Sequence, residues 1–232
     1  MSSTGPRLIL WDVDGTLLQS GGAGRTAMAA AGCELFGSHF TLDGVEMGGQ
    51  LDSSIWIELA RTNRIAGGAA HEPRFREIYA GHLARRFETG PPAQLLPGIA
   101  KLVAALATRA EVTQGILSGN YPETGRLKVA SAGLDPEQFR VCAWGPDAPT
   151  REQLVPVALA RHASHTGAPI DPKHVTIVGD TLRDIACARA NGCRVLAVAT
   201  GMVAADVLAA HQPDRLLHDL AAVDDVLAWL LA

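Results

Sequence analysis

From residue 99 to the C-terminus, short apolar runs alternate with helix-length segments, and this alternation constrains the fold more than any other feature of the chain. A helix over 99–107 precedes a strand over 112–117, then come a helix (122–132), a strand (139–143) and a helix (152–164). The pattern continues with a strand over 174–178, a helix (182–190), a strand (194–199), a helix after Gly201, a short strand near 215–217 and a last helix. Near-continuous apolar runs bounded by turn residues suit strands buried on both faces, and their alternation with helices predicts a parallel sheet. With a further strand over 7–12, the expected fold class is α/β, a doubly wound, Rossmann-like parallel sheet.

Between that first strand and the rest, the stretch from 24 to 88 has helical periodicity and no clear strand, beginning with the Ala-rich RTAMAAAGCELF. The cluster GPPAQLLPG at 90–98 interrupts the pattern and marks a hinge or boundary. The expected organisation is an α/β core formed by 1–17 and 95–232, with a helical insertion over 18–94.

At 232 residues and 47% hydrophobic the chain can bury a sizeable core. A net charge of −4 offers no basic stripe for nucleic acid, so any anionic substrate must be met by local charges. No run of eighteen uncharged apolar residues occurs and the N-terminus lacks a signal-peptide layout, so the expectation is a cytoplasmic protein with no membrane partner. Cys33, Cys142, Cys187 and Cys193 have no metal-type pairing and are read as reduced; His39, His71, His82, His162 and His165 have no spacing that suggests zinc.

In sheets of this kind ligands sit beyond the carboxyl ends of the strands, near the point where strand order reverses. The first strand ends in DVDGT (Asp12 to Thr16), a later one in Ser118-Gly119-Asn120, and another in TIVGDTLRD, which carries Asp180 and Asp184. Arg151 opens the helix after the remaining candidate strand. Strand alternation would send Asp12 and Asp14 to the same side and Val13 to the core. Carboxylates gathered in one crevice repel unless a cation sits among them, and a hard divalent ion such as Mg²⁺ answers that need with oxygen ligands. Ser118, the following backbone N–H groups and Arg151 are then donors for a phosphoryl group.

Taken together, DVDGT, ILSGN, Arg151 and VGDTLRD resemble the four motifs of the haloacid dehalogenase superfamily, and the resemblance spans nearly the whole chain. It implies that Asp12 is the nucleophile that forms an aspartyl phosphate, and that Asp14 is the general acid and then the base. It implies that Ser118, Gly119 and Asn120 bind phosphate together with Arg151, which neutralises charge where many relatives place a lysine. Mg²⁺ would be held by the Asp12 side chain, the Asp14 backbone carbonyl and Asp180, with Asp184 a direct ligand or an orienter of the ligands.

Retention of Asp14 favours phosphoryl chemistry, since the superfamily's dehalogenases lack that second acid. The insertion resembles the helical cap of its phosphoglycolate-phosphatase-like members, which implies a small phosphorylated metabolite, with a phosphoglycolate-like acid the first substrate candidate and a monomer or homodimer the expected assembly. Arg25 and Gln50 are the cap's candidate specificity residues, while Asp52 is expected to cap the helix it precedes. No lysine occurs before Lys101, so the cap supplies no Schiff-base lysine of the phosphonoacetaldehyde hydrolase kind. The alternatives are a phosphomutase of the β-phosphoglucomutase kind and, outside enzymes, a catalytically silent phosphate- or metal-binding regulatory module.

Overall fold

The computed structural model describes residues 5–232. Six strands form one parallel sheet: β1 (Arg7–Trp11), β4 (Val112–Ser118), β5 (Val141–Trp144), β6 (Val175–Gly179), β7 (Arg194–Val198) and β8 (Arg215–Leu217). Their order is β5-β4-β1-β6-β7-β8. The chain builds outward from β1 to β5 on one side, then crosses back to lay β6 on the other, so strand order reverses at β1. The crevice at a reversal of this kind is where such sheets bind ligands.

Helices α4 (Ile99–Ala107), α5 (Pro122–Ser131), α6 (Arg151–Thr166), α7 (Leu182–Ala190), α8 (Ala205–Ala210) and α9 (Val223–Leu231) connect and cover these strands. Successive β1 side chains divide between the faces. Ile9 and Trp11 pack with Leu102, Leu106, Val226 and Leu230, while Leu8 and Leu10 pack with Leu154, Val155 and Ile185. Burial on both faces is why these strands read as unbroken apolar runs. Trp11 packs away from the crevice, where its indole Nε1 donates to Gln114 Oε1 at 3.2 Å.

The insertion carries α1 (Ala23–Phe36), α2 (Asp52–Thr62) and α3 (Gly68–Thr89), which share a separate apolar cluster built on Met28, Trp56, Phe75 and Tyr79. Trp56 and Phe75 stack with ring centroids 4.3 Å apart. Where the chain leaves and re-enters the core, the two-residue strands β2 (Leu18–Gln19) and β3 (Gln94–Leu95) pair antiparallel. This pairing was not legible in a stretch that reads as helices and turns. Among the described residues no helix is long and apolar enough to cross a membrane.

Candidate active site

The carboxyl ends of β1, β4 and β6 bring the acids of DVDGT and VGDTLRD together with Ser118 and Arg151. Asp12 continues directly from β1, its N–H donating to Val178 O at 2.9 Å, and is 5% exposed. One geometric expectation is corrected. β1 ends at Trp11, so Asp14 lies in a turn and not on a strand, where it makes an isolated bridge to Leu18. The Val13 carbonyl takes the Leu17 and Leu18 amides, and this folds the motif back on itself. Val13 is still fully buried, but the turn, and not strand pleating, places Asp14. Gly15 makes the turn possible: its φ is +83°, and a Cβ there would overlap the Asp180 carboxylate.

Arg151 is the electrostatic centre of the crevice. Its Nη2 lies 2.9 Å from Asp12 Oδ1 and 2.5 Å from Asp184 Oδ1, and all three side chains are almost completely buried. Burial works against the guanidinium charge, and Asp184 and Asp12 more than offset it. Arg151 Nε is buried without a hydrogen-bond partner among the described residues, a donor the protein itself does not use.

Asp184 has both oxygens occupied, Oδ1 by Arg151 and Oδ2 by the Thr181 N–H at 3.0 Å and hydroxyl at 2.6 Å. The Thr181 N–H bond to Asp184 is one half of a capping box that starts α7, the Asp184 N–H to the Thr181 side chain being the other. Among the described residues Asp180 accepts a hydrogen bond only from the Thr16 hydroxyl, at 3.1 Å from Oδ1.

Asp12, Asp180 and Asp184 each offer a carboxylate oxygen within 4.8 Å of the others. Burial first, then mutual repulsion, pushes the Asp180 carboxyl up; burial also raises Asp12, with Arg151 pulling against it. One guanidinium does not balance three buried carboxylates. An all-oxygen donor set with excess negative charge fits a hard divalent cation such as Mg²⁺.

Ser118 ends β4, and its Oγ accepts from Asn120 Nδ2 at 2.9 Å. The Asn120 side chain is engaged within the protein, donating also to Asp14 Oδ2 at 3.0 Å and accepting from Lys128 Nζ at 2.6 Å. Gly119 is walled by the insertion: a Cβ there would overlap the Gln50 carbonyl, and Gly119 O accepts the Asp52 amide at 2.7 Å.

Among the described residues the hydrogen bonds of the Arg25 and Gln50 side chains go to the insertion's own loop and not to the acids. Arg25 Nη1 donates to Met47 Sδ at 3.4 Å, and Gln50 Nε2 to Glu46 O at 3.0 Å, so both brace the loop that rests on the crevice. Asp52 is also not the expected cap. Leu51 occupies that position, while the Asp52 carboxylate crosses to the core and accepts the Tyr121 amide at 3.0 Å.

Burial raises the Asp52 pKa to about 6, with Lys128 partly offsetting it. The folded protein therefore holds a proton at Asp52 that the unfolded chain releases near the ordinary carboxylate value of 3.8, and stability falls as pH rises from there through 6. Asp52→Asn keeps an acceptor for Tyr121 and removes that charge. It is expected to be more stable than the parent by about 1–3 kcal/mol at pH 7, with the gap closing near pH 4. Thermal melts of both proteins across this range check it.

Sequence reasoning missed Lys128, whose Nζ lies 2.5 Å from Asp14 Oδ2 and whose side chain is 6% exposed. A signal was present. Thr124, Gly125, Lys128 and Val129 fall at i, i+1, i+4 and i+5 on α5, the spacing of one buried helical face.

Comparison with known proteins agrees with this geometry. The HAD-hydrolase-like family model matches residues 152–223, the part that includes Asp180 and Asp184. Among solved structures, a hydrolase from Pseudomonas syringae superposes with a TM-score of 0.72 at 19% identity, covering 97% of this chain and 100% of that one. The fold is that of haloacid dehalogenase-like hydrolases. CbbY from Rhodobacter sphaeroides in complex with phosphate gives a TM-score of 0.70 at 20% identity, covering 93% of this chain and 95% of that chain. A predicted phosphoglycolate phosphatase from Haemophilus somnus gives 0.68 at 16% identity, covering 97% and 99%. No curated protein matches by sequence.

Proposed function

We propose that the protein is a Mg²⁺-dependent phosphoric monoester hydrolase acting on a small phosphorylated metabolite. The observation that carries this reading is the buried pairing of Arg151 with Asp12 and Asp184 at the reversal of strand order, with Asp14 two residues beyond Asp12. Asp12 attacks phosphorus, the bond from phosphorus to the ester oxygen breaks, and Asp14 gives its proton to the departing alkoxide. Water then attacks the aspartyl phosphate, losing its proton to Asp14, and inorganic phosphate leaves with Asp12 restored. Ser118, the amides of Gly119 and Asn120, and Arg151 hold the phosphoryl oxygens.

Asp12, Asp180 and the Asp14 carbonyl would hold Mg²⁺, which when bound neutralises phosphoryl charge. Asp184 orients Arg151 and the start of α7, consistent with its occupied oxygens.

Residues 18–94 serve as a cap over the core formed by 1–17 and 95–232. The loop carrying Gln50 and the start of α2 rest on Gly119 and Tyr121, where a substrate's organic portion would lie between the two parts. A phosphoglycolate-like acid remains the first candidate, with Arg25, exposed on α1, the cap's candidate cation for its carboxylate. CbbY from Rhodobacter sphaeroides has been solved with phosphate and, as a mutant, with xylulose-(1,5)bisphosphate, both at about this level of structural similarity. The test is phosphate release from a panel of phosphorylated acids, sugars and polyols in Mg²⁺ and in EDTA. Release in Mg²⁺ should fall at least about 100-fold in EDTA, in line with the several kcal/mol a metal contributes to charge stabilisation. No release from any member in Mg²⁺ refutes the reading; release without a phosphorylated acid among the best substrates removes only the phosphoglycolate candidate.

A further inference from the structure

We propose that Lys128 is a positioning residue, which with Asn120 clamps one oxygen of Asp14 so that the other is presented for proton transfer. The inference rests on the phosphatase reading above and deepens it. Asp14 sits in a turn with its side chain 41% exposed, so neither strand geometry nor packing fixes its carboxylate. Its two oxygens differ sharply. Oδ2 receives Lys128 Nζ at 2.5 Å and Asn120 Nδ2 at 3.0 Å, whereas among the described residues Oδ1 has only the Ser20 hydroxyl at 3.5 Å.

The clamp is itself braced. Lys128 Nζ also donates to Asn120 Oδ1 at 2.6 Å, which leaves the Asn120 amide nitrogen to face Asp14 and Ser118 Oγ. An ammonium has donors only, so it fixes which end of the Asn120 amide faces it. One closed triangle of Lys128, Asn120 and Asp14 is thereby tied to the hydroxyl that ends β4. The ammonium is also roofed by the cap. A Cβ on Gly24 of α1 would lie 3.3 Å from Lys128 Nζ and 3.2 Å from the Tyr79 hydroxyl, so the smallest residue stands where the cap meets the ammonium. Burying a lysine is expensive unless it is well paired, and an apolar side chain would fill this place at less cost. A contact of that expense on the proton-transferring acid is explained by what it does to the acid.

The test separates positioning from mere support by leaving group. p-Nitrophenyl phosphate needs little help from an acid, whereas benzyl phosphate expels an alkoxide that must be protonated. Lys128→Met is expected to lower kcat/KM, which reports the first phosphoryl transfer and not the shared hydrolysis of the aspartyl phosphate, about tenfold more on benzyl phosphate than on p-nitrophenyl phosphate, a fraction of what a general acid contributes. Lys128→Arg should recover part of the benzyl activity, and Lys128→Met added to Asp14→Asn should cost little more, because the two act as one unit. Equal losses on both esters, or full additivity with Asp14→Asn, overturn the inference and leave the phosphatase reading standing. A parent protein inactive on both esters, and on the whole phosphate panel, overturns both. If Lys128→Met does not fold, Lys128→Gln takes its place in the same comparison.

Discussion

Asp12→Asn is expected to lower kcat on p-nitrophenyl phosphate by about 10³-fold or more, the scale on which loss of a covalent nucleophile is felt, while the protein stays folded. The second half of that statement follows from the electrostatics of the crevice. Asp12 is one of three buried carboxylates sharing a single guanidinium, and burial pushes it toward its neutral form. The amide removes a charge that is short of compensation, keeps an oxygen for Arg151, and leaves Arg151 paired with Asp184. The melting temperature without Mg²⁺ should therefore be no lower than that of the parent. Single-turnover assays with acid quench should trap phosphate on the parent and none on Asp12→Asn. A pure Asp12→Asn protein that turns over at the parent rate removes Asp12 from the chemistry.

The sheet and the acids at its strand ends were legible in the sequence because both follow from short-range rules. A strand buried on both faces must be an unbroken apolar run, and polar residues at its end mark where it leaves the core. Arg7–Trp11, Val175–Gly179 and Arg194–Val198 each obey this. Arg151 was legible as the residue opening a helix, although its pairing with both Asp12 and Asp184 depends on three segments meeting.

What the sequence did not disclose were contacts across the insertion, where partners lie far apart in the chain and local pattern carries no information. Asp52 looked like a helix cap because Asp commonly begins helices, yet its acceptor is spent on Tyr121, 69 residues away. The antiparallel pairing of Leu18–Gln19 with Gln94–Leu95 is two residues long and shows no periodicity. Asp14 followed strand alternation on paper, but the Val13 carbonyl captures the amides of Thr16, Leu17 and Leu18 and turns the chain first. Lys128 was hidden for the opposite reason: a lysine on a helix is ordinarily solvated, and only the company of Thr124, Gly125 and Val129 on one face signals that this one is not.

The same charge balance makes Arg151 the residue whose loss should be felt most by the fold. Arg151→Met removes the only cation hydrogen-bonded to Asp12 and Asp184 among the described residues, while the side-chain volume is largely kept. Deleting one partner of a buried ion pair costs about 3–5 kcal/mol, because the remaining charge is left unpaired. For a chain of this size that is a fall in melting temperature of about 6–20 °C. The loss should be largest in EDTA and smaller in Mg²⁺, since a cation held by Asp12 and Asp180 would supply part of the missing charge. Arg151→Lys should lie between, because one ammonium retains the charge but not the fork that also reaches Gly49 O and Leu117 O, each at 3.4 Å. Melts of the three proteins in EDTA and in Mg²⁺ decide the matter. If Arg151→Met melts within a degree or two of the parent in EDTA, the carboxylates must be neutral without it, and the crevice does not hold the excess negative charge on which a divalent metal depends.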